Sequence, residues 1–244
     1  MAAVTLQERS RRRARIARRA LAGAAGLVVL LFAAGAVYLA SLQGVGDAQA
    51  RARRIMHAHG ESVGSLPTPP RLVASVVSVE DEHFYDNVVV NVVTGAGRAA
   101  LAALQTSQDP GGSTIDQQLA KQLYGHGHGV GSTLREIGLG VKLAVRYSKQ
   151  QILQMYLNVV YYGHGYWGVE QAAEGYFHTS PSQLTWAEAS MLAGLLQAPS
   201  AYDPLEHYAL GRQRQHHVLM QLVVNHHLTR AQATAIFDAG LPLS

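Results

Sequence analysis

A mainly α-helical domain behind one N-terminal transmembrane helix is the fold class that this sequence predicts, and three observations carry it. The composition is 48% hydrophobic with only four Phe, and abundant Ala, Leu and Gln favour helices over a strand-rich sandwich. Four helix-start patterns of the Ser/Thr-x-x-Glu/Gln type crowd into the second half, at Ser148 with Gln151, Ser180 with Gln183, Thr185 with Glu188 and Thr229 with Gln232. An uncharged apolar run also occupies Ala20 to Ala40.

Residues 1–19 form a basic tail, expected on the cytoplasmic side. Seven arginines against Glu8 give it a net charge of +6, so the remaining chain, with thirteen basic and fifteen acidic residues, stands at −2. A nucleic-acid partner needs a basic face on the folded domain, and this charge distribution argues against one. The apolar run would reach about 32 Å as a helix, enough for a hydrocarbon core of about 30 Å. Residues 20–42 are therefore expected to span the membrane. The arginine excess on the N-terminal side sets the N-terminus inside and the rest of the chain outside. A cleaved secretory signal has a shorter apolar region. Residues 43–66 read as a juxtamembrane stalk and 67–244 as one folded domain, opened by the stiff Pro67-Thr68-Pro69-Pro70 break.

From Arg71 to Tyr85, Val73, Val76, Val77 and Glu80 recur at helical spacing, so an apolar stripe ends in a carboxylate. Such a position pushes a carboxyl toward the pKa range useful to a general base. At Gly111 to Lys121, a glycine pair and a capping-type serine precede an amphipathic helix. Its start would offer free N–H groups to an anion, with Lys121 two turns in. Glu136 is a second candidate acid, and two carboxylates about a cleft suit glycosidic chemistry. The Gly125–Gly129 run contains His126 and His128 without a neighbouring carboxylate or cysteine. No metal-ligand set is legible there or elsewhere in the chain.

Taken together, Val79-Glu80-Asp81-Glu82-His83-Phe84-Tyr85, then GGSTIDQQLAK from Gly111, then Glu136 resemble the ordered motifs of the peptidoglycan glycosyltransferase family, glycosyltransferase family 51. Ile152 to Asn158 leading into Tyr162-Gly163-His164-Gly165-Tyr166-Trp167-Gly168 resembles the fourth motif of that family. Leu184-Thr185 with Glu188, Leu192 and Ala198-Pro199 resembles the fifth, and the likeness runs over residues 61–225.

The resemblance implies a lysozyme-like helical domain with a smaller membrane-proximal jaw lobe. It also implies polymerisation of lipid II into glycan strands, with undecaprenyl pyrophosphate released. Glu80 and Glu136 are then the candidate catalytic residues. Asp81, Phe84, Gly112, Ser113, Thr114, Gln117, Gln118 and Lys121 are the candidate substrate-binding ones. Implied companions are a divalent cation, Mg2+ or Mn2+, the growing glycan chain, the membrane and other cell-wall synthesis proteins. The third motif normally carries Arg-Lys just before its Glu, where this chain has Ser132 and Thr133. Arg135 or Arg98 would have to replace those cations. Asp116 stands where Thr or Ser is usual, and Asn87 and Val89 replace His and Gly. A non-catalytic lipid II-binding scaffold and a lytic transglycosylase are the competing readings. The lack of Ser-x-x-Lys with a later Lys-Thr-Gly leads us to expect no transpeptidase activity.

Overall fold

The computed structural model describes residues 2–60, 68–86, 113–125, 127 and 129–243, with side chains from residue 18 onward. Asn87, Val89, Arg98, Gly112, His126 and His128 lie outside the described residues. By its internal contacts, the chain forms two units, Met1–Gln43 and Gly44–Ser244.

The first unit is one helix, α1 (Ala2–Ser41). Its stretch Arg18–Ser41 is 24 residues long and, by length and composition, apolar enough to cross a membrane. At about 1.5 Å per residue it exceeds the thickness of a hydrocarbon core.

Among the described residues of the second unit, the regular secondary structure is helical, apart from an isolated bridge between Tyr161 and Trp167. The segment read as a stalk contains α2 (Ala48–Ala58), which buries Ala48, Ala52 and Met56. The proline break leads directly into α3 (Pro70–Glu80), with Pro70 in the first turn, where its missing N–H costs nothing. The predicted apolar stripe is present: Val76 and Val77 are buried, as is Leu72, and Val73 is half-buried.

Next come α4 (Ile115–Tyr124), α5 (Val130–Arg146), α6 (Lys149–Val159) and α7 (Gly168–Phe177). The chain ends in α8 (Trp186–Leu195), α9 (Tyr208–Val224) and α10 (Arg230–Asp238). Three of the four expected capping boxes form, at Ser148, Thr185 and Thr229. The fourth does not. Ser180 makes no capping bond, its hydroxyl pairs with Ser182 at 3.1 Å, and Pro181–Gln183 is a single 3₁₀ turn.

Two packing groups build the core. In one, α3, α8 and α9 lie against each other; in the other, α4 packs on α5 and α6, and α6 also contacts α2 and α7. The α4–α5 pair is an antiparallel hairpin held close by Gly140, where an added Cβ would come within 3.1 Å of the Gln117 backbone nitrogen. Tyr156, Tyr162, Tyr176 and Phe84 are among the largest fully buried side chains. Each buried aromatic or aliphatic side chain contributes roughly 1.5–3 kcal/mol.

The loop between α6 and α7 turns through Gly163, His164 and Gly165, all at positive φ (91°, 50° and 82°). A Cβ on Gly163 would also stand 2.8 Å from the Pro199 carbonyl oxygen. Gly163→Ala should therefore cost about 1–3 kcal/mol, read as a lowered Tm of the full chain in detergent. Unchanged stability would mean that this turn is not packed as described.

Candidate active site

Glu80 ends α3 at the junction of the two packing groups. Its carboxylate accepts a hydrogen bond from Gln118 Nε2 of α4 at 2.8 Å and lies 3.7 Å from Arg214 Nη2 of α9. The side chain is 12% exposed and that of Arg214 13%, so the pair sits at the edge of bulk water. On the other side of Gln118, the Tyr156 hydroxyl donates to Oε1 at 2.5 Å. Burial, reinforced by the negative charge of Glu80, raises the Tyr156 hydroxyl well above its ordinary range, so it stays a donor. With the amide oxygen so engaged, the amide nitrogen faces Glu80. Burial lowers the pKa of Arg214, and the attraction of Glu80 opposes that shift.

Helix α4 is the element that brings Gln118 here. Its N-cap is Thr114, not the expected Ser113. Thr114 Oγ1 accepts from Gln117 N at 3.3 Å, and Gln117 Oε1 accepts from Thr114 N at 3.3 Å. A capping box needs Glu or Gln three residues past the cap, and Gln117 satisfies that count for Thr114 only. Asp81, buried just after α3, accepts from Ile115 N at 3.2 Å. The N–H groups of Thr114, Ile115 and Gln117 are thus already taken by protein acceptors. The expectation of a helix start with free donors for an anion is corrected accordingly.

Lys121 lies three residues beyond Gln118 on the neighbouring face of α4 and is exposed. Ser113 is half-buried, and its carbonyl accepts a second, 3.4 Å contact from Gln118 Nε2. Phe84 is fully buried beneath the Lys149 ammonium, which stands 4.1 Å from its ring centroid.

The hairpin register carries Glu136 to the level of Lys121, because Gly140 packs on Gln117 and Arg135 reaches Tyr124. Glu136 accepts from Ser132 Oγ at 3.3 Å, and the same hydroxyl accepts from Gly127 N at 2.8 Å. Ser132, at a position where a cation was expected, therefore fastens the α4–α5 loop. Arg135, a candidate substitute for that cation, donates to the Tyr124 carbonyl at 3.3 Å, closing the end of α4.

Two features escaped the sequence reading. Arg214 lies next to the buried stripe of α9 formed by Gly211, Gln215, Val218 and Leu222. An arginine beside a core-facing stripe is the signal that could have revealed it. The other is the ion pair of Asp116 with Lys149 at 3.0 Å. Asp116 turns away from the site into the interior, where its Oδ1 has no hydrogen-bond partner. Burial raises its pKa above 3.8, and Lys149 only partly offsets this.

The sign of that shift has a measurable consequence. A carboxyl raised in the folded state is accommodated without penalty below pH 3.8 and costs stability as pH rises through its folded value. Lys149→Met should therefore cost about 3 kcal/mol at neutral pH and little near pH 4, measured as Tm against pH. A loss independent of pH would mean that Lys149 matters only for packing.

Comparison with known proteins follows the same boundaries. A family model described as Transglycosylase matches residues 49–223. Penicillin-binding protein 2a of Streptococcus pneumoniae is 39% identical over 168 residues, covering 68% of this chain and 22% of that protein. Penicillin-binding protein 2D of Bacillus subtilis is 35% identical over 174 residues, 70% of this chain and 25% of that protein. This chain thus spans about a quarter or less of those two relatives' length. A Cupriavidus necator protein named as a transglycosylase is 34% identical over 171 residues, 70% of this chain and 73% of that protein. The 2.6 Å crystal structure of penicillin-binding protein 1A from Haemophilus influenzae shares 33% identity, covers 42% of this chain and 16% of that one, and superposes with a TM-score of 0.38. Since the family model takes in α3, α4, α8 and the Arg214 stretch of α9, more than two thirds of the sequence, the chain belongs to the transglycosylase family.

Proposed function

We propose that this protein is a membrane-anchored peptidoglycan glycosyltransferase that joins lipid II units into glycan strands outside the cytoplasmic membrane. The observation that carries the reading is the setting of Glu80. Its carboxylate meets the Gln118 amide and the Arg214 guanidinium, at 2.8 and 3.7 Å, with limited exposure, on a helix end facing α4. In the proposed step, Glu80 removes the proton from the 4-hydroxyl of the acceptor N-acetylglucosamine. That oxygen attacks the anomeric carbon of the donor chain's terminal N-acetylmuramic acid. The bond to undecaprenyl pyrophosphate breaks with inversion, and the pyrophosphate takes the electron pair. Lys121, exposed one turn beyond Gln118, is the described side chain best suited to meet that charge. Glu136, at the same level of the hairpin, is proposed to orient the substrate or Lys121.

The family implies a divalent cation. Among the described residues, no three His, Asp or Glu ligand atoms gather around Glu80. Its carboxylate is engaged by Gln118 and Arg214, and Asp81 by Ile115. The residues present do not form a protein-built cage at this site, so each step is assigned to side chains of the chain itself. The arginine-rich start of α1 supports an N-terminus inside and a catalytic unit outside. Other cell-wall synthesis proteins are proposed as partners because the family acts in cell-wall synthesis.

The decisive experiment incubates the purified full chain with lipid II and Mg2+ beside Glu80→Gln and separates products by length. Longer strands from the parent and a loss of about 100- to 10,000-fold in the variant are expected. Shortening of preformed glycan strands added in a parallel reaction would indicate a lytic enzyme. No change in length would indicate a binding scaffold. Arg214→Met, which removes the guanidinium 3.7 Å from Glu80, should lower strand formation at least tenfold while the Tm of the full chain changes little. Unchanged strand formation would show that Arg214 does not act on Glu80.

A further inference from the structure

The turn after α6 meets the turn before α9, and three ligand-bearing side chains that include neither Glu80 nor its partners converge there. Asp203 is 2% exposed, and each of its oxygens has a defined role. Oδ1 accepts from Leu205 N at 3.0 Å, and Oδ2 faces His164 Nδ1 at 3.1 Å. His164 is held in the left-handed region at φ 50° between Gly163 and Gly165. Glu206 is exposed, and its N–H donates to the Asp203 carbonyl at 3.2 Å. One ligand atom from each of the three lies within 4.8 Å of the others.

The geometry points to a divalent metal site of the zinc class on His164, Asp203 and Glu206, separate from the transfer chemistry. A tetrahedral ion with bonds of about 2.0–2.1 Å sets its ligands about 3.3–3.4 Å apart. The His164–Asp203 separation already approximates that edge. Glu206 is exposed on its turn, and a carboxylate oxygen within 4.8 Å of the other two ligand atoms supplies the third side. One neutral imidazole and two carboxylates balance the +2 charge, and water takes the fourth position. The N1O2 set suits Zn2+, whereas Mg2+ and Ca2+ seek six or more oxygens. Binding displaces the proton at His164 Nδ1, and the ring recovers one at Nε2, so the imidazole stays neutral and a neutral His164 releases no net proton. The ion then ties the turn after α6 to the turn that leads into α9, the helix of Arg214. The neighbouring groups are compatible with this. The Tyr176 hydroxyl beside Asp203 is raised in pKa by burial, then by Asp203, and so remains neutral.

The test uses the full chain in detergent, stripped with chelator and titrated with ZnCl2 or MgCl2 by calorimetry, with Tm followed in parallel. One equivalent of Zn2+ per chain and a Tm rise of about 5 °C at saturation are expected, with no comparable effect of Mg2+. Because Asp203 also supports its own turn, the discriminating variants are His164→Ala and Glu206→Gln. The first should abolish the zinc-dependent rise, and the second should weaken binding at least tenfold. His126→Ala with His128→Ala should change neither. Absence of saturable zinc binding would overturn the site. So would binding that persists in His164→Ala and disappears with the His126/His128 pair.

Discussion

The arrangement depends on placing one carboxylate where it is largely withdrawn from water yet not left unpartnered. A buried carboxylate is costly unless hydrogen bonds and an opposite charge compensate. For Glu80 the compensation comes from Gln118, 38 residues away along the chain, and from Arg214 on α9. No local segment could supply both. The site exists only when the α3–α8–α9 group and the α4–α5–α6 group have packed, so assembly of the fold and assembly of the site are the same event.

Helix α4 carries that dependence outward. Its N-terminal donors are closed by Thr114, Gln117 and Asp81, and its last carbonyls by two arginines from different elements. Arg135 of α5 reaches Tyr124, and Arg51 of α2 reaches Leu123 at 3.4 Å while its guanidinium stands 4.7 Å from the Tyr124 ring centroid. Asp47 completes the knot, accepting from Arg51 at 2.7 Å and from the Tyr124 hydroxyl at 3.0 Å. With both termini tied, α4 is poorly free to slide, and Gln118 and Lys121 hold their places relative to Glu80. The α2 segment that looked like a stalk is one of the struts.

What was legible in the sequence follows from the range of each interaction. Capping boxes are read within four residues, so Ser148, Thr185 and Thr229 were identifiable. The stripe ending in Glu80 is a one-helix periodicity and was equally visible. Ser180 failed because Pro181 and the short spacing to Thr185 leave room for one tight turn and no helix. The cap falls on Thr114 and not on Ser113 because Gln117 stands three residues past the threonine, whereas Asp116 stands three past the serine. Arg214, the Asp116–Lys149 pair and the role of α2 are contacts between distant segments. Nothing in composition or spacing reports such contacts until the helices are packed.

The departures from the family pattern then take on a physical meaning that residue matching alone could not assign. An acid at position 116 would weaken an anion site if it pointed outward, but the side chain turns inward and meets Lys149. That lysine in turn covers Phe84, joining the turn after Glu80 to the start of α6. Similarly, Ser132 spends its hydroxyl on Glu136 and on the hairpin loop, and Arg135 on a helix end. In the proposed reaction, positive charge toward a departing pyrophosphate would come chiefly from Lys121 among the described residues. A site with fewer fixed cations has less electrostatic stabilisation to offer the leaving group. In that proposed reaction the burden would fall correspondingly on the positioning of Glu80, which Gln118 of α4 and Arg214 of α9 hold.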